Sequence, residues 1–335
     1  MRSKWFILAA MFAAVWFALD ISGSVDEFIR ETKGEGGDPS SRSSSRQAFG
    51  LQSGTALDND LETRIREEAK RTYIAPIDAK VDRVWKAIPG YNGLEVDIEQ
   101  SLKLASMQPM QDPLPIVTRE IPPNISLDDL GAHPIYKGNP KKPMAALMIN
   151  VAWGDEFLPG MLETLRKENV HATFFFDGSW LSTHLETAKQ IGAQGHELSN
   201  HAYSHKNMSR LSAAQARSEI AKTETLLKDK LGVSNRWFAP PSGDYDQETV
   251  RIAAEQGLKT VLWTLDTVDW TNPGGAVIVR KIGTRVEPGS LILMHPTKSS
   301  SDALEGMIRA IRAKNLKLGT VSEVLSSDRV DGPEK

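Results

Sequence analysis

The chain has no cysteine. That excludes disulfides and thiolate metal sites and leaves histidine, aspartate and glutamate as the strong metal ligands. It also lacks a charge surplus: 40 basic residues stand against 43 acidic ones, so there is no electrostatic footprint for nucleic acid. No Gly-x-Gly-x-x-Gly or phosphate loop follows any candidate strand, so a nucleotide is not implied. No Gly-x-Ser-x-Gly elbow marks a serine hydrolase. With 40% hydrophobic residues and a mean hydropathy of -0.33, the chain is neither disordered nor polytopic. Its 335 residues suffice for one large α/β domain with smaller attachments, or for two average domains.

What is present begins at the N-terminus. MRSKWFILAAMFAAVWFALD carries Arg2 and Lys4, then an uncharged apolar run over residues 5–19, the pattern of an export signal. The run is shorter than the about 20 residues a membrane span needs. No clean A-x-A site follows, although Ser22-Gly-Ser24 could serve for cleavage. Residues 1–24 are read as a signal peptide or a membrane anchor, and the protein as exported to the outer face of the membrane or the cell wall. Residues 25–56 are Gly/Ser-rich and polar, a flexible tether. A small α/β module is expected over 57–130: a charged helix at 58–72, a strand at VDRVW, a Pro-Gly-Tyr-Asn-Gly turn, a strand at GLEVD and a second helix. Residues 131–143 read as a Pro/Gly/Lys linker, and 327–335 as a disordered tail.

Between them, residues 144–326 alternate apolar runs with amphipathic stretches. The runs MAALMINV, HATFFFDG, HELSNH, RWFAPP, KTVLWTL, SLILMH and KLGTV predict seven parallel strands. Helices are expected to open near Asp155, Trp180, Ser212, Asp246, Gly275 and Ser301. Continuous apolar strands separated by helices imply a parallel sheet covered by helices, and this many units imply a closed or nearly closed (β/α) barrel.

In such a barrel, chemistry collects at the carboxyl ends of the strands. Those ends read MINVAW (148–153), NHAYSH (200–205), FAPPSGDY (238–245), TLDTVDW (264–270) and LILMHP (291–296). Three of the seven histidines, His201, His205 and His295, stand there. His201 and His205 share a face if the segment makes a helical turn, and then fit one metal; the plainer reading is a capping or surface pair. His295 is either a satisfied core histidine or a general acid. Asp269 is either a helix cap or the carboxylate that orients His295.

These segments resemble the NodB-type polysaccharide deacetylases, the family-4 carbohydrate esterases, over roughly residues 143–326. Residues 77–97, IDAKVDRVWKAIPGYNGLEVD, and NVAWG are similar to the sporulation-associated deacetylase-like subfamily of spore-forming bacilli. The resemblance implies a distorted (β/α) barrel with a divalent metal, zinc first among candidates, held by one Asp and two His. A second Asp acts as base and a His as acid in releasing acetate from a chitin-like or cell-wall glycan, since a metal polarises the amide carbonyl and acidifies its water. His201-Ala-Tyr-Ser-His205 resembles the motif H-[ST]-x-x-H. Asp269 and Trp270 match the D-x-x-W-like motif. Leu291-Ile-Leu-Met-His295 matches L-x-L-x-H-D, with Pro296 in place of the terminal Asp. Ala239-Pro240-Pro241-Ser242-Gly243 matches R-P-P-x-G without its arginine. Pro240, Pro241, Gly243, Tyr245 and Trp270 are the residues expected to meet substrate.

The first motif, T-F-D-D-G, departs furthest. Counting back from Ala172, with Pro159 on the family's usual proline, places its two Asp on Asn150 and Val151. An amide orients a water but hardly deprotonates it, and valine ligates nothing. Asp155 or Glu156 could swing in as the missing ligand or base, or they cap and charge the next helix. Two functions follow. One is metal-dependent deacetylation of cell-wall glycan, lowered or abolished by the first motif. The other is non-catalytic glycan binding by a pseudoenzyme of the envelope or sporulation machinery, with no metal. The expected partner is cell-wall glycan or a chitin-like oligosaccharide, with the membrane met only through the N-terminal segment.

Overall fold

A computed structural model of the chain describes residues 52–107 and 113–330; the export segment, most of the tether and the end of the tail lie outside the described residues. Among the described residues no helix is long and apolar enough to cross a membrane. The described residues from Ala56 onward form one compact unit.

Helix α1 (Gln52–Thr72) starts before the expected 58–72 and buries Ile65 against Val96 and Ala105. VDRVW is not one strand. Asp82 Oδ1 accepts the backbone N–H groups of Val84 and Trp85 at 2.7 and 2.9 Å, so the chain turns and makes the hairpin β1 (Lys80–Asp82) and β2 (Lys86–Ile88). An aspartate that captures nearby N–H groups competes with the strand its neighbours favour. GLEVD does supply β3 (Gly93–Val96), followed by α2 (Ile98–Met107). β3 pairs antiparallel with β4 (Thr118–Ile121), a strand the sequence reading does not anticipate.

The main sheet is a curled, parallel half-barrel. Its strands are β5 (Met144–Val151), β6 (Thr173–Phe176), β7 (Glu197–Asn200), β8 (Trp237–Phe238), β9 (Lys259–Thr260), β10 (Leu265–Asp266), β11 (Ser290–Met294) and β12 (Lys317–Gly319). Their order is β10-β11-β5-β6-β7-β8-β9, with β12 also on β5. Every residue of β5 is buried, because helices cover one face and the curl of the sheet covers the other. Ala145, Leu147, Ile149 and Val151 join Phe174 and Phe176 on the helix side. Ala146 and Met148 join Phe175, Ala239 and Leu291 inside the curl. By the strand's period of two, Asn150 belongs to the inner series.

Eight strands form where seven are expected, because KTVLWTL splits into β9 and β10. Its middle bonds instead to the segment read as a linker: Leu262 N–H donates to Ile135 O at 2.7 Å and Ile135 N–H to Thr260 O at 2.9 Å. Ile135 is fully buried and Lys137 bridges Ser290 at the start of β11, so this stretch fills the side of the barrel between β9 and β11. Helices α3 (Leu158–Lys167), α4 (Gly178–Thr183), α5 (Leu185–Ala193), α6 (Ala213–Leu231), α7 (Gln247–Glu255), α8 (Gly275–Arg285), α9 (Lys298–Arg312) and α10 (Val321–Leu325) cover the sheet. Ser212 and Asp246 cap α6 and α7 as expected. Helix α9 opens under Thr297 rather than near Ser301, and α4 opens under Asp177, whose carboxylate accepts Trp180 N–H.

Candidate functional site

A cleft of about 330 Å³ opens at the carboxyl ends of the strands. On one wall stand Asn150, His201 and His205; on the other, Asp266, Trp270 and His295.

The segment 201–205 is not a helical turn. Ala202 and His205 are left-handed, with φ of 59° and 51°. Glu219 on α6 holds the segment by accepting the N–H groups of Tyr203 and Ser204 at 3.2 and 2.8 Å. Thr223 donates to Ala202 O at 2.6 Å. The two imidazoles nevertheless meet, with ring centroids 5.2 Å apart. His201 is buried and its Nδ1–H donates to Ala239 O at 2.7 Å, which leaves the Nε2 lone pair free of a proton. Burial, with His205 and His295 nearby, pushes its pKa down to about 3, against the pull of the Ala239 carbonyl. His201 is therefore neutral at physiological pH.

The space before that lone pair is taken by Asn150, whose Nδ2 lies 3.5 Å from His201 Nε2. That is long for a hydrogen bond, and the amide's Oδ1 is buried without a partner. Val151 is fully buried in the helix-side core, where it offers no donor.

The opposite wall is complete. His295 Nδ1–H donates to Asp269 Oδ1 at 2.9 Å, and its backbone N–H donates to Oδ2 at 2.6 Å. Ser300 donates to the same Oδ2. Burial works against the Asp269 carboxylate, but the His295 ring, its charge, Ser300 and the His295 N–H more than offset it, and the pKa lies below the ordinary value. Asp269 thus orients His295, as one of the two sequence readings has it, and turns Nε2 to the cleft as a group able to give or take a proton.

The loop after β8 supplies Ser242, in the left-handed region at φ 56°. Gly243, also left-handed, lies so close to Trp263 that a Cβ would stand 2.8 Å from the indole. Pro240, Pro241 and Gly243 shape this loop, while Ser242 and Trp263 face the cleft. Tyr245 does not line it; its hydroxyl pairs with that of Tyr136 at 2.7 Å.

Asp155 is the clearest departure from expectation as a metal ligand. Its Oδ1 accepts Trp180 Nε1–H at 2.5 Å, and its Oδ2 lies 3.4 Å from His184 Nε2. It borders a separate hollow between α3 and α5, because the buried Trp180 offers an indole N–H that needs an acceptor. Nor does it cap α3: residues 155–157 form a short 3-10 turn first. Three cleft residues went unread in the sequence: Trp153, Trp263 and Asp266. Asp266 and Trp263 lie in the strand run already singled out, and their place beside Asp269 was the available signal.

The donor set does not fit the metal the family implies. Two histidines remain, one faced by an amide N–H; the second Asp position is apolar, and Asp155 points elsewhere. Among the described residues, no three histidine or carboxylate side chains gather to hold a metal ion.

Comparison with known proteins agrees with this fold. The family model for polysaccharide deacetylase matches residues 137–261. The chain is 41% identical to an uncharacterized protein, YlxY, of Bacillus subtilis, over 82% of this chain and 86% of the relative. It is 31% identical to a peptidoglycan-N-acetylglucosamine deacetylase of Bacillus cereus, over 58% of this chain and 72% of the relative. A crystal structure of a CE4 family pseudoenzyme from Bacillus anthracis superposes with a TM-score of 0.75 at 41% identity, covering 81% of this chain and 97% of that one. A mutant of that pseudoenzyme is described as having restored enzymatic activity. The chain belongs to the CE4 family of polysaccharide deacetylases.

Proposed function

We propose that this protein binds N-acetylated cell-wall glycan in its deacetylase-type cleft and hydrolyses it at a strongly lowered rate or not at all. The observation that carries the reading is Asn150 standing before His201 Nε2 at 3.5 Å, where an active site needs a carboxylate base. With no basic oxygen there and no third ligand beside the histidines, neither the metal nor the attacking water has its anchor. The cleft keeps its shape, its paired Asp269 and His295, and its aromatic wall, which is what binding without turnover requires. The similarity to a peptidoglycan-N-acetylglucosamine deacetylase of Bacillus cereus supports peptidoglycan or a similar glycan as the partner. The basic-then-apolar N-terminus supports export to where that glycan lies.

The test is a zinc titration by calorimetry on the full chain, with His201→Ala as control, beside an assay for acetate release from peptidoglycan and chitin oligomers. Zinc binding no tighter than millimolar and no acetate above background are expected. Tight one-to-one zinc binding that disappears in His201→Ala, together with acetate release, would sink the proposal.

A further inference from the structure

The barrel buries nearly all its large apolar side chains. Among the described residues beyond 137, only Trp153, Trp270 and Val277 remain exposed, and both tryptophans line the cleft. Trp153 runs parallel to His295 in an offset stack, the rings within 8° of parallel and 5.9 Å between centroids. The indole is packed against the imidazole on one side and still leaves the residue 46% exposed.

The backbone fixes it there. Gly154 has φ 88° and passes so close to the end of β11 that a Cβ would stand 2.0 Å from Pro296 O; only glycine allows this approach. One residue further on, Asp155 is tied to Trp180. Trp153 is therefore a rigid, half-open aromatic surface beside a polar floor of Asn150, His205, Ser242 and Asp266. An aromatic wall over hydroxyl, amide and carboxylate groups suits a sugar, whose ring presents C–H bonds on its faces and hydroxyls at its edge. An apolar peptide would leave that floor unpaired.

We propose that Trp153, just past the five residues of the first motif, is a sugar-stacking platform that receives a pyranose ring of the glycan on its exposed face. The proposal rests on the glycan reading above and adds the residue that gives the cleft affinity without a metal. Chitotetraose is titrated into the full chain and its variants, with binding read by calorimetry and indole fluorescence. Trp153→Ala is expected to weaken binding about tenfold, equivalent to ~1.4 kcal/mol. Trp153→Phe should recover part of the loss, and Val277→Ala, exposed but away from the cleft, should change nothing. Trp153→Gln gives the same comparison should the alanine variant fail to fold. Equal affinity in wild type and the Trp153 variants overturns the platform and leaves the glycan reading standing. No binding of chitotetraose or peptidoglycan fragments by the wild type overturns both.

Discussion

On the β11 side of the cleft, Asp269 receives three donors and fixes His295; on the β5–β7 side, Asn150 leaves its own Oδ1 unpartnered and lies at long range from His201. Yet both walls are firmly held. The histidine segment is held by Glu219, Thr223 and the carbonyl of Ala239, none of which needs a metal or the lost carboxylates. The proton-handling pair is held by its own buried charge. Packing and backbone hydrogen bonds thus hold each wall independently of the residue type at position 150.

The sharpest way to break this contrast is to rebuild the depleted wall. Asn150→Asp with Val151→Asp should cost about 3–5 kcal/mol of stability without metal, since it buries unpaired carboxylates. The Asn150→Asp half, which faces His201, should also raise zinc affinity by more than the roughly 10–100-fold that outer-shell partners carry. Melting with and without zinc reads both effects, and no gain in affinity would place the defect outside the first motif. Damaging the intact wall comes next. Asp269→Asn is expected to cost a similar amount or slightly less, about 3 kcal/mol, by leaving His295 without its carboxylate. Because the folded pKa of Asp269 is lowered, its stabilisation is present above the unfolded value of about 3.9 and fades as pH falls through the lower folded value. The variant should lack that acid loss in melting curves taken from neutral pH downward.

His201 contributes a smaller, separate slope. Its folded pKa of about 3 lies below the unfolded value of about 6.5, so the unfolded chain takes up the proton first. The stability tied to the neutral ring is complete above the unfolded value and falls by about 1.4 kcal/mol per pH unit below it. Urea unfolding at pH 7 and pH 5 should therefore differ by about 2 kcal/mol less in His201→Gln than in wild type. The smallest effect belongs to Asp155→Ala. Losing the Trp180 bond should cost about 1 kcal/mol and leave zinc binding unchanged; a change in zinc affinity would restore Asp155 to the site.

Much of this was legible before any coordinates. The continuous apolar run of β5 and the alternation of strands and helices predict a parallel barrel, and the strand-end histidines predict the cleft. The loss at positions 150 and 151 is visible as residue type alone. Other features were hidden because they depend on contacts between distant segments. VDRVW alternates like a strand, but the Asp82 side chain takes the N–H groups of the turn. The Pro-rich 131–143 stretch looks like a linker, but Ile135 finds a buried place between β9 and β11.

By itself, then, the sequence determined the barrel, the two histidines and the missing carboxylates, since periodicity and residue chemistry are local properties of the chain. Only the tertiary structure decided that Asp155 turns to Trp180, that Asp269 rather than a helix end claims its hydrogen bonds, and that Trp153 lies on His295. Each of those outcomes is set by which buried donor finds which acceptor across the fold, and spacing along the chain does not encode that choice.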